Sequence, residues 1–161
     1  MEPEIAQQLA SLIRAQRWAA LATLGADGPE VSHVAYAVEG AFEGVLLHLS
    51  QLAAHTRQLL ADPRASLAIG EPDDGRADPQ TLARVTLFGA VEALVRDSDA
   101  YSAARAIYLA RLPQAEPLFG FGDFQLFRLR PLRARFVGGF ARARSFDRAA
   151  LQAAGALAVS G

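Results

Sequence analysis

Residues 46–65 read LLHLSQLAAHTRQLLADPRA and give the clearest indication of how this chain folds. The apolar run at 45–49 is typical of a buried strand and ends at Ser50. A helix-like segment follows. We expect it to stop near Asp62, because the residue before Pro63 is disfavoured in a helical conformation. The sequence therefore predicts a passage from a strand into a short helix.

Polar side chains cluster at this passage, where Ser50, His55, Thr56 and Arg57 lie close together in the sequence. Backbone N–H groups at the start of a helix lack acceptors and carry positive partial charge. An arginine and a histidine beside them would complete a pocket for a phosphate. The other interpretation is an ordinary N-cap at Ser50 followed by surface polar residues, and the local pattern alone favours it.

The composition excludes several classes of protein. The chain has 161 residues, 52% of them hydrophobic, which suits a single domain over 1–161 with a sizeable core. A formal net charge of −1 argues against a nucleic-acid-binding protein that depends on bulk positive charge. The absence of cysteine excludes disulfides and thiolate chemistry, and suits a cytoplasmic protein. We find no signal peptide and no apolar run long enough to span a membrane.

The pattern along the chain predicts helices at the ends and strands through the middle. Hairpin-like turns separate most of the strands, which favours an antiparallel arrangement. We therefore predict an α+β fold, mainly antiparallel β, in the form of a barrel with peripheral helices. The predicted helices are 3–16, a segment ending near 62, 97–112 and 146–154; the predicted strands are 18–24, 31–38, 45–49, 65–69, 82–95 and a pair at 123–129 and 132–137 hinged at Pro131, with a frayed tail at about 155–161.

Four ordered blocks carry a resemblance to a known family. They read ALATLGADGPEVSHVAYAV, LSQLAAHTRQLLADPRASLAI, ARVTLFGAVEAL and FGDFQLFRLRPLRARFVGGFARA. In this order they resemble pyridoxamine 5′-phosphate oxidase-related proteins, which are FMN-binding split barrels, and in particular the branch that includes haem-utilisation proteins. The chain departs from the family pattern at Gln58, where asparagine is expected, and at Ala141, where glycine is expected.

The resemblance implies a homodimer with FMN at the subunit interface and a small-molecule substrate. It also assigns roles to individual residues. Ser32, His33 and Val34 would border the isoalloxazine ring, and Ser50, His55, Thr56 and Arg57 would hold the phosphate and ribityl chain. Arg84 and Thr86 would complete these contacts, and Gly138, Gly139 and Phe140 would lie near the flavin.

Most of these residues also have a simpler interpretation. Arg84 has the character of a solvated charge at a strand edge, and Thr86 is an ordinary strand residue. His33 suits a core or interface position as well as a flavin contact. Gly138 and Gly139 would serve equally as a strand end with unusual dihedral angles. His48 receives no role, and we expect Trp18 in the core.

Other enzyme chemistry finds little support. The three histidines lack zinc-ligand spacing, so we expect no metal site, and neither a GxSxG elbow nor a GxxxxGK[ST] loop is present. Three hypotheses follow: an FMN-dependent oxidoreductase, a haem-binding or haem-degrading protein on the same barrel, and a flavin carrier or sensor without turnover. No histidine follows His55, which disfavours a haem ligand from the C-terminal segment.

Overall fold

The computed structural model describes residues 2–139 and 142–157. Short 3₁₀ helices at Pro79–Thr81 and Pro113–Gly120 accompany the longer elements. In chain order, the α-helices and strands are α1 (Pro3–Ala15), β1 (Trp18–Gly25), β2 (Gly28–Ala35), β3 (Ala37–Glu39), β4 (Gly44–Ser50), α2 (Ala54–Ala61), β5 (Arg64–Gly70), β6 (Arg84–Ala93), α3 (Asp99–Arg111), β7 (Phe124–Val137), β8 (Ala143–Asp147) and α4 (Arg148–Leu157).

The strands form one antiparallel sheet in the order β2-β1-β5-β6-β7-β4-β3, with β8 added beside β7. The two ends of this order, β2 and β3, are consecutive in the chain and are joined by Tyr36 alone. The sheet therefore has to curl until its edges approach each other, which gives a half-barrel. The α+β, mainly antiparallel fold predicted from the sequence is confirmed.

Curling gives the sheet an inner and an outer face. Along each strand, alternate side chains point to opposite faces. Inner-face residues such as Leu21, Leu67 and Leu87 are fully buried and share one core with Leu9 and Ile13 of α1. The alternate residues of β1, β2, β5 and β6 therefore lie on the outer face. None of the helices in the described ranges is both long and apolar enough to cross a membrane.

The structure changes the bounds of several predicted elements. The strand predicted at 31–38 is divided at Tyr36, because β2 pairs with β1 whereas β3 pairs with β4. The predicted helix at 146–154 begins only at Arg148, after the unpredicted strand β8, and it continues to Leu157. The part of the predicted frayed tail at 155–157 is therefore helical, and the rest lies outside the described residues.

The strand pair expected to hinge at Pro131 is a single strand, β7. A bulge opposite Phe88 and Gly89 accommodates the proline: Phe88 pairs with Arg133 and Gly89 with Pro131, so Leu132 is the extra residue. A bulge is one of the few places in a sheet that tolerates the missing N–H of proline. Gly89 is required for the close approach, since a Cβ atom there would overlap the carbonyl oxygen of Arg130.

A second, smaller core lies outside the barrel, where α3 and the Pro113–Gly120 helix cover β4. His48 projects into it, only 8% exposed, and stacks on Phe119 with ring centroids 3.8 Å apart. Neither ring nitrogen has a hydrogen-bond partner among the described atoms. Burial, with the nearby charges of Arg96 and Arg105, lowers the pKa of His48 from 6.5 to about 4.

Gly89→Ala tests the bulge. The added methyl group has to displace the Arg130 backbone, so we expect the free energy of unfolding to fall by about 1–3 kcal/mol. Urea denaturation followed by circular dichroism measures it. Gly120→Ala is the matched control, because a Cβ atom at Gly120 meets open space. Equal unfolding midpoints for the two variants would contradict this account of the bulge.

His48→Phe tests the buried imidazole. As the pH falls from about 6.5 toward 4, the unfolded chain takes up a proton at His48 before the folded chain does. This contribution to stability is therefore complete above pH 6.5 and is lost on acidification. The free energy of unfolding of the variant should therefore fall less over this range than that of the wild type, by up to about 3 kcal/mol. Urea denaturation at several pH values measures the slopes, and equal slopes would refute the lowered pKa.

Candidate functional site

The residues predicted to form the site lie on both faces of the sheet. Ser32 and Val34 alternate with His33 along β2, so they point inward and His33 points outward. Val34 is buried in the main core. The predicted residues therefore separate into an inner group near α2 and an outer group across the sheet.

The inner group begins at the connection from β4 to α2. Ser50 is the last residue of β4, and α2 starts only at Ala54, so the interpretation of Ser50 as an N-cap is wrong. Its hydroxyl donates to the Asp123 carboxylate at 2.8 Å and accepts from the Leu52 N–H at 3.2 Å. The residue that precedes α2 is Ala53, which offers no side-chain cap to the first amides of the helix.

His55 and Thr56 occupy the first turn of α2. The Nδ1 atom of His55 lies 3.0 Å from the Ser32 hydroxyl, which joins the helix to the edge strand β2. Burial lowers the pKa of His55 below its usual value, so the imidazole is mainly neutral at pH 7. Thr56 is fully buried, and its hydroxyl has no hydrogen-bond partner among the described atoms.

Arg57 and Gln58 hold α2 in place. The guanidinium of Arg57 donates to the Leu52 carbonyl at 2.8 Å. The Gln58 amide bridges two strands: its oxygen accepts from the Thr23 hydroxyl at 2.6 Å and its nitrogen donates to the Glu30 carboxylate at 2.6 Å. Gln58, where the chain departs from the family pattern, therefore anchors α2 over the β1–β2 hairpin.

These contacts limit what the inner group offers an anion. Ser50 faces a carboxylate, His55 is mainly neutral, and Arg57 is bonded to a backbone carbonyl. The groups left for an anion are the uncapped amides of α2, because the unpartnered hydroxyl of Thr56 is fully buried. The inner group is thus a weakly cationic cluster of side chains next to a helix N-terminus.

The outer group lies along a cross-strand row. The strand registers place the following residues side by side on one face: His33, Ala20, Ala68, Thr86 and Arg135. Arg84 projects from the same face of β6, two residues before Thr86, and its guanidinium donates to the carbonyls of Gln80 and Leu82. The structure brings His33 and Thr86 into one row and separates them from the inner group.

A second row lies parallel to the first and is displaced from it by two residues on each strand. It contains Val31, Ala22, Ser66, Phe88 and Arg133. Small residues on β1 and β5 thus lie between larger ones on both sides. We name this surface the outer channel: its floor is Ala20, Ala22, Ser66 and Ala68, and its walls are Val31 and His33 on one side and Thr86, Phe88, Arg133 and Arg135 on the other.

Aromatic and cationic side chains are ordered around the outer channel. Trp18, at one end, stacks on the His33 ring with centroids 5.7 Å apart and an angle of 16° between the rings. The guanidinium of Arg133 lies 3.6 Å from the centroid of Phe88. Trp18 is 58% exposed and Val31 is 66% exposed, so large apolar surfaces face outward here.

Sequence reasoning missed part of this surface. Trp18 was expected in the core, but its place on the outer face of β1 leaves it exposed, so that prediction is wrong. Arg133 and Arg135 received no role, although their spacing of two along LRARF places both on one face of a strand. That alternation is the signal that would have identified them.

The predicted glycines lie beyond the end of β7. Gly139 has a φ of 115°, a conformation that favours glycine, and it lies beside the loop that contains Thr81. Gly138 lines a polar groove of about 620 Å³ between α1 and that loop. Phe140, also a predicted flavin contact, lies outside the described residues.

Comparison with known proteins identifies the family. Residues 5–138 match the model of the family described as pyridoxamine 5′-phosphate oxidase. Heme oxygenase HutZ of Vibrio cholerae is 33% identical over 147 residues, which cover 89% of this chain and 79% of that protein. The non-canonical heme oxygenase HOZ of Arabidopsis thaliana chloroplasts is 41% identical over 99 residues, 61% of this chain.

Solved structures give the same result. A heme-binding protein from Mycobacterium smegmatis superposes with a TM-score of 0.84 at 35% identity, over 95% of this chain. The chain spans 62% of the length of that protein and the match to the Arabidopsis relative covers 28% of its length. From the family match and the Vibrio relative together, the chain belongs to the pyridoxamine 5′-phosphate oxidase family.

Proposed function

We propose that this protein binds haem on the outer channel and takes part in haem degradation, with haem as its substrate. The observation that carries the proposal is the channel itself, a floor of small side chains bordered by apolar and cationic ones. The names of the similar proteins support it, since two are heme oxygenases and one is a heme-binding protein.

The outer channel fits the chemistry of haem. A porphyrin is a flat apolar ring, and the small side chains of Ala20, Ala22 and Ala68 allow such a ring to approach the sheet closely. The rows that cross it span five strands, roughly 19 Å at about 4.8 Å per strand. The two propionates need cationic partners, and Arg133 and Arg135 lie together on one wall.

The same surface suits a homodimer. Trp18, Val31 and Leu132 are large apolar residues that are more than half exposed around the outer channel. A second copy of the chain that covered them would also enclose a flat ligand between the subunits and exclude water from it. In such an assembly, haem supplies the redox chemistry itself, and the side chains of the channel bind and orient it.

Titration with haemin tests this proposal. We expect the wild-type protein to develop a Soret band with 1:1 stoichiometry, and the double variant Arg133→Ala, Arg135→Ala to bind on the order of 10-fold more weakly. Ala68→Phe, which fills the floor, should weaken binding further. Turnover would appear as oxygen- and reductant-dependent loss of the band.

Arg105→Ala is the control for this titration, because it removes a partly exposed guanidinium of α3 that packs on Phe119 beside the second core, and α3 packs on β3 and not on the strands of the outer channel. It should bind haemin as the wild type does. Unchanged affinity in both channel variants, or no Soret band in the wild-type protein, would contradict the proposal.

FMN binding at the inner group is the second candidate function. The uncapped start of α2 favours it, since the first backbone amides of the helix can donate to a phosphate. The protein would then be a flavin-dependent oxidoreductase acting on a small molecule, or a flavin carrier without turnover. Reduction of bound flavin by NADPH or a substrate panel would separate these two.

The double variant His55→Ala, Arg57→Ala tests the FMN site. Because it removes the two side chains that flank the start of α2, we expect FMN binding to be lost while the protein stays folded and assembled. Fluorescence titration with FMN and size-exclusion chromatography measure both properties. Arg135→Ala is the control that should keep FMN. Stoichiometric FMN in the double variant would refute this site.

A further inference from the structure

We infer that His33 is the iron ligand for haem in the outer channel, an inference that rests on the proposed function. Haem iron in proteins is held by histidine, cysteine, methionine or tyrosine side chains. The chain has three histidines, three tyrosines, one methionine and no cysteine. The methionine is Met1, which lies outside the described residues, so within them the choice of ligand is between the histidines and the tyrosines.

The tyrosines do not qualify. Tyr36, Tyr101 and Tyr108 are all less than 9% exposed, and none lies on the outer face of β1, β2, β5 or β6. Tyr36 donates its hydroxyl to the Ile13 carbonyl at 2.7 Å within the main core. Tyr101 and Tyr108 belong to the second core under α3. None can reach a ligand held against the floor of the outer channel.

Two of the histidines do not qualify either. His48 lies in the second core with Phe119 stacked on its ring. His55 lies in α2, and its Nδ1 atom is paired with the Ser32 hydroxyl on the inner side of β2. Because Ser32 and His33 point to opposite faces of β2, the His55 ring is separated from the outer channel by that strand.

His33 has the required position and orientation. It is exposed, it stands on the wall of the outer channel beside Ala20, and Trp18 stacks on one face of its ring. Imidazole binds iron through the lone pair of a nitrogen in the ring plane, so stacking on an indole orients the ring and leaves its nitrogen edge free. Among residues 2–139 and 142–157, His33 alone combines a suitable side chain with access to this surface.

The strand registers place cationic residues across the channel from His33. Arg135 lies at the far end of the same row as His33, and Arg133 lies at the end of the row that starts at Val31. His33 would hold the iron on one side of the channel, and the two arginines would hold the propionates on the other. Trp18 is then a positioning residue, which acts through the orientation of the His33 ring.

Resonance Raman spectroscopy of the ferrous haem complex tests the ligand directly. We expect the wild-type protein to show an iron–histidine stretching band that shifts when histidine is labelled with ¹⁵N. His33→Ala should lack this band and bind haemin at least about 10-fold more weakly. In His33→Gly, added imidazole should restore a band that no longer shifts with protein labelling. Circular dichroism checks that each variant is folded.

His48→Phe is the matched control, because it removes a histidine outside the channel and should keep the band. An iron–histidine band retained in His33→Ala would overturn this inference and leave haem binding intact. A wild-type protein that binds haemin without such a band would have the same consequence. A wild-type protein that binds no haemin would refute the proposed function and this inference together.

Discussion

The passage of the chain through Tyr36 is the constraint on which the rest of the structure depends. One residue joins β2 and β3, which lie at opposite ends of the strand order. A flat sheet of that order would hold these strands far apart, so the sheet has to curl. The Tyr36 N–H donates to the Arg17 carbonyl at 3.0 Å and its hydroxyl donates to the Ile13 carbonyl at 2.7 Å, which ties the junction to α1. The end of α1 is held from the other side by Arg111, which donates to the carbonyls of residues 14–16.

Curling determines which residues are free to bind a ligand. The inner face is filled by the apolar side chains of α1 and the strands, and α2 packs over β1 and the edge strand β2. Within residues 2–139 and 142–157, no helix packs over the side chains on the outer face of β1, β2, β5 and β6, and several of these side chains are large and apolar. The outer channel is therefore the surface where burial of a flat ligand or of a second subunit would gain most.

Much of the fold was predictable because strand alternation and turn residues are local signals. The alternation VSHVAYAV already placed Ser32 and His33 on opposite sides of a strand, although it did not tell which side is inner. The features that were predicted wrongly depend on the three-dimensional arrangement of the strands, which is not a local signal. The bulge at Leu132 depends on Gly89, and β8 is a strand only because β7 lies beside it. Trp18 is exposed because it occupies one of the alternate positions of β1 that face outward.

The candidate site was less predictable than the fold. The family resemblance grouped Ser50, His55, Arg84 and Thr86 as contacts of one cofactor, whereas the strand registers put Arg84 and Thr86 on the other face of the sheet from the His55–Ser32 pair. The asparagine-to-glutamine departure at Gln58 could not be interpreted until its partners Thr23 and Glu30 were known. The roles proposed for Arg133 and Arg135 depend on the channel floor, which includes Ala20 and Ala22 on β1, three strands away from β7.

Paramagnetic broadening in the ¹H–¹⁵N spectrum of the protein with ferric haemin tests the central claim most directly, because it locates the iron without any substitution. The account predicts that the amide signals of Ala20, His33 and Ala68 broaden first, while those of α2 and α3 persist. Broadening centred on α2, with the signals of the channel floor unchanged, would contradict it.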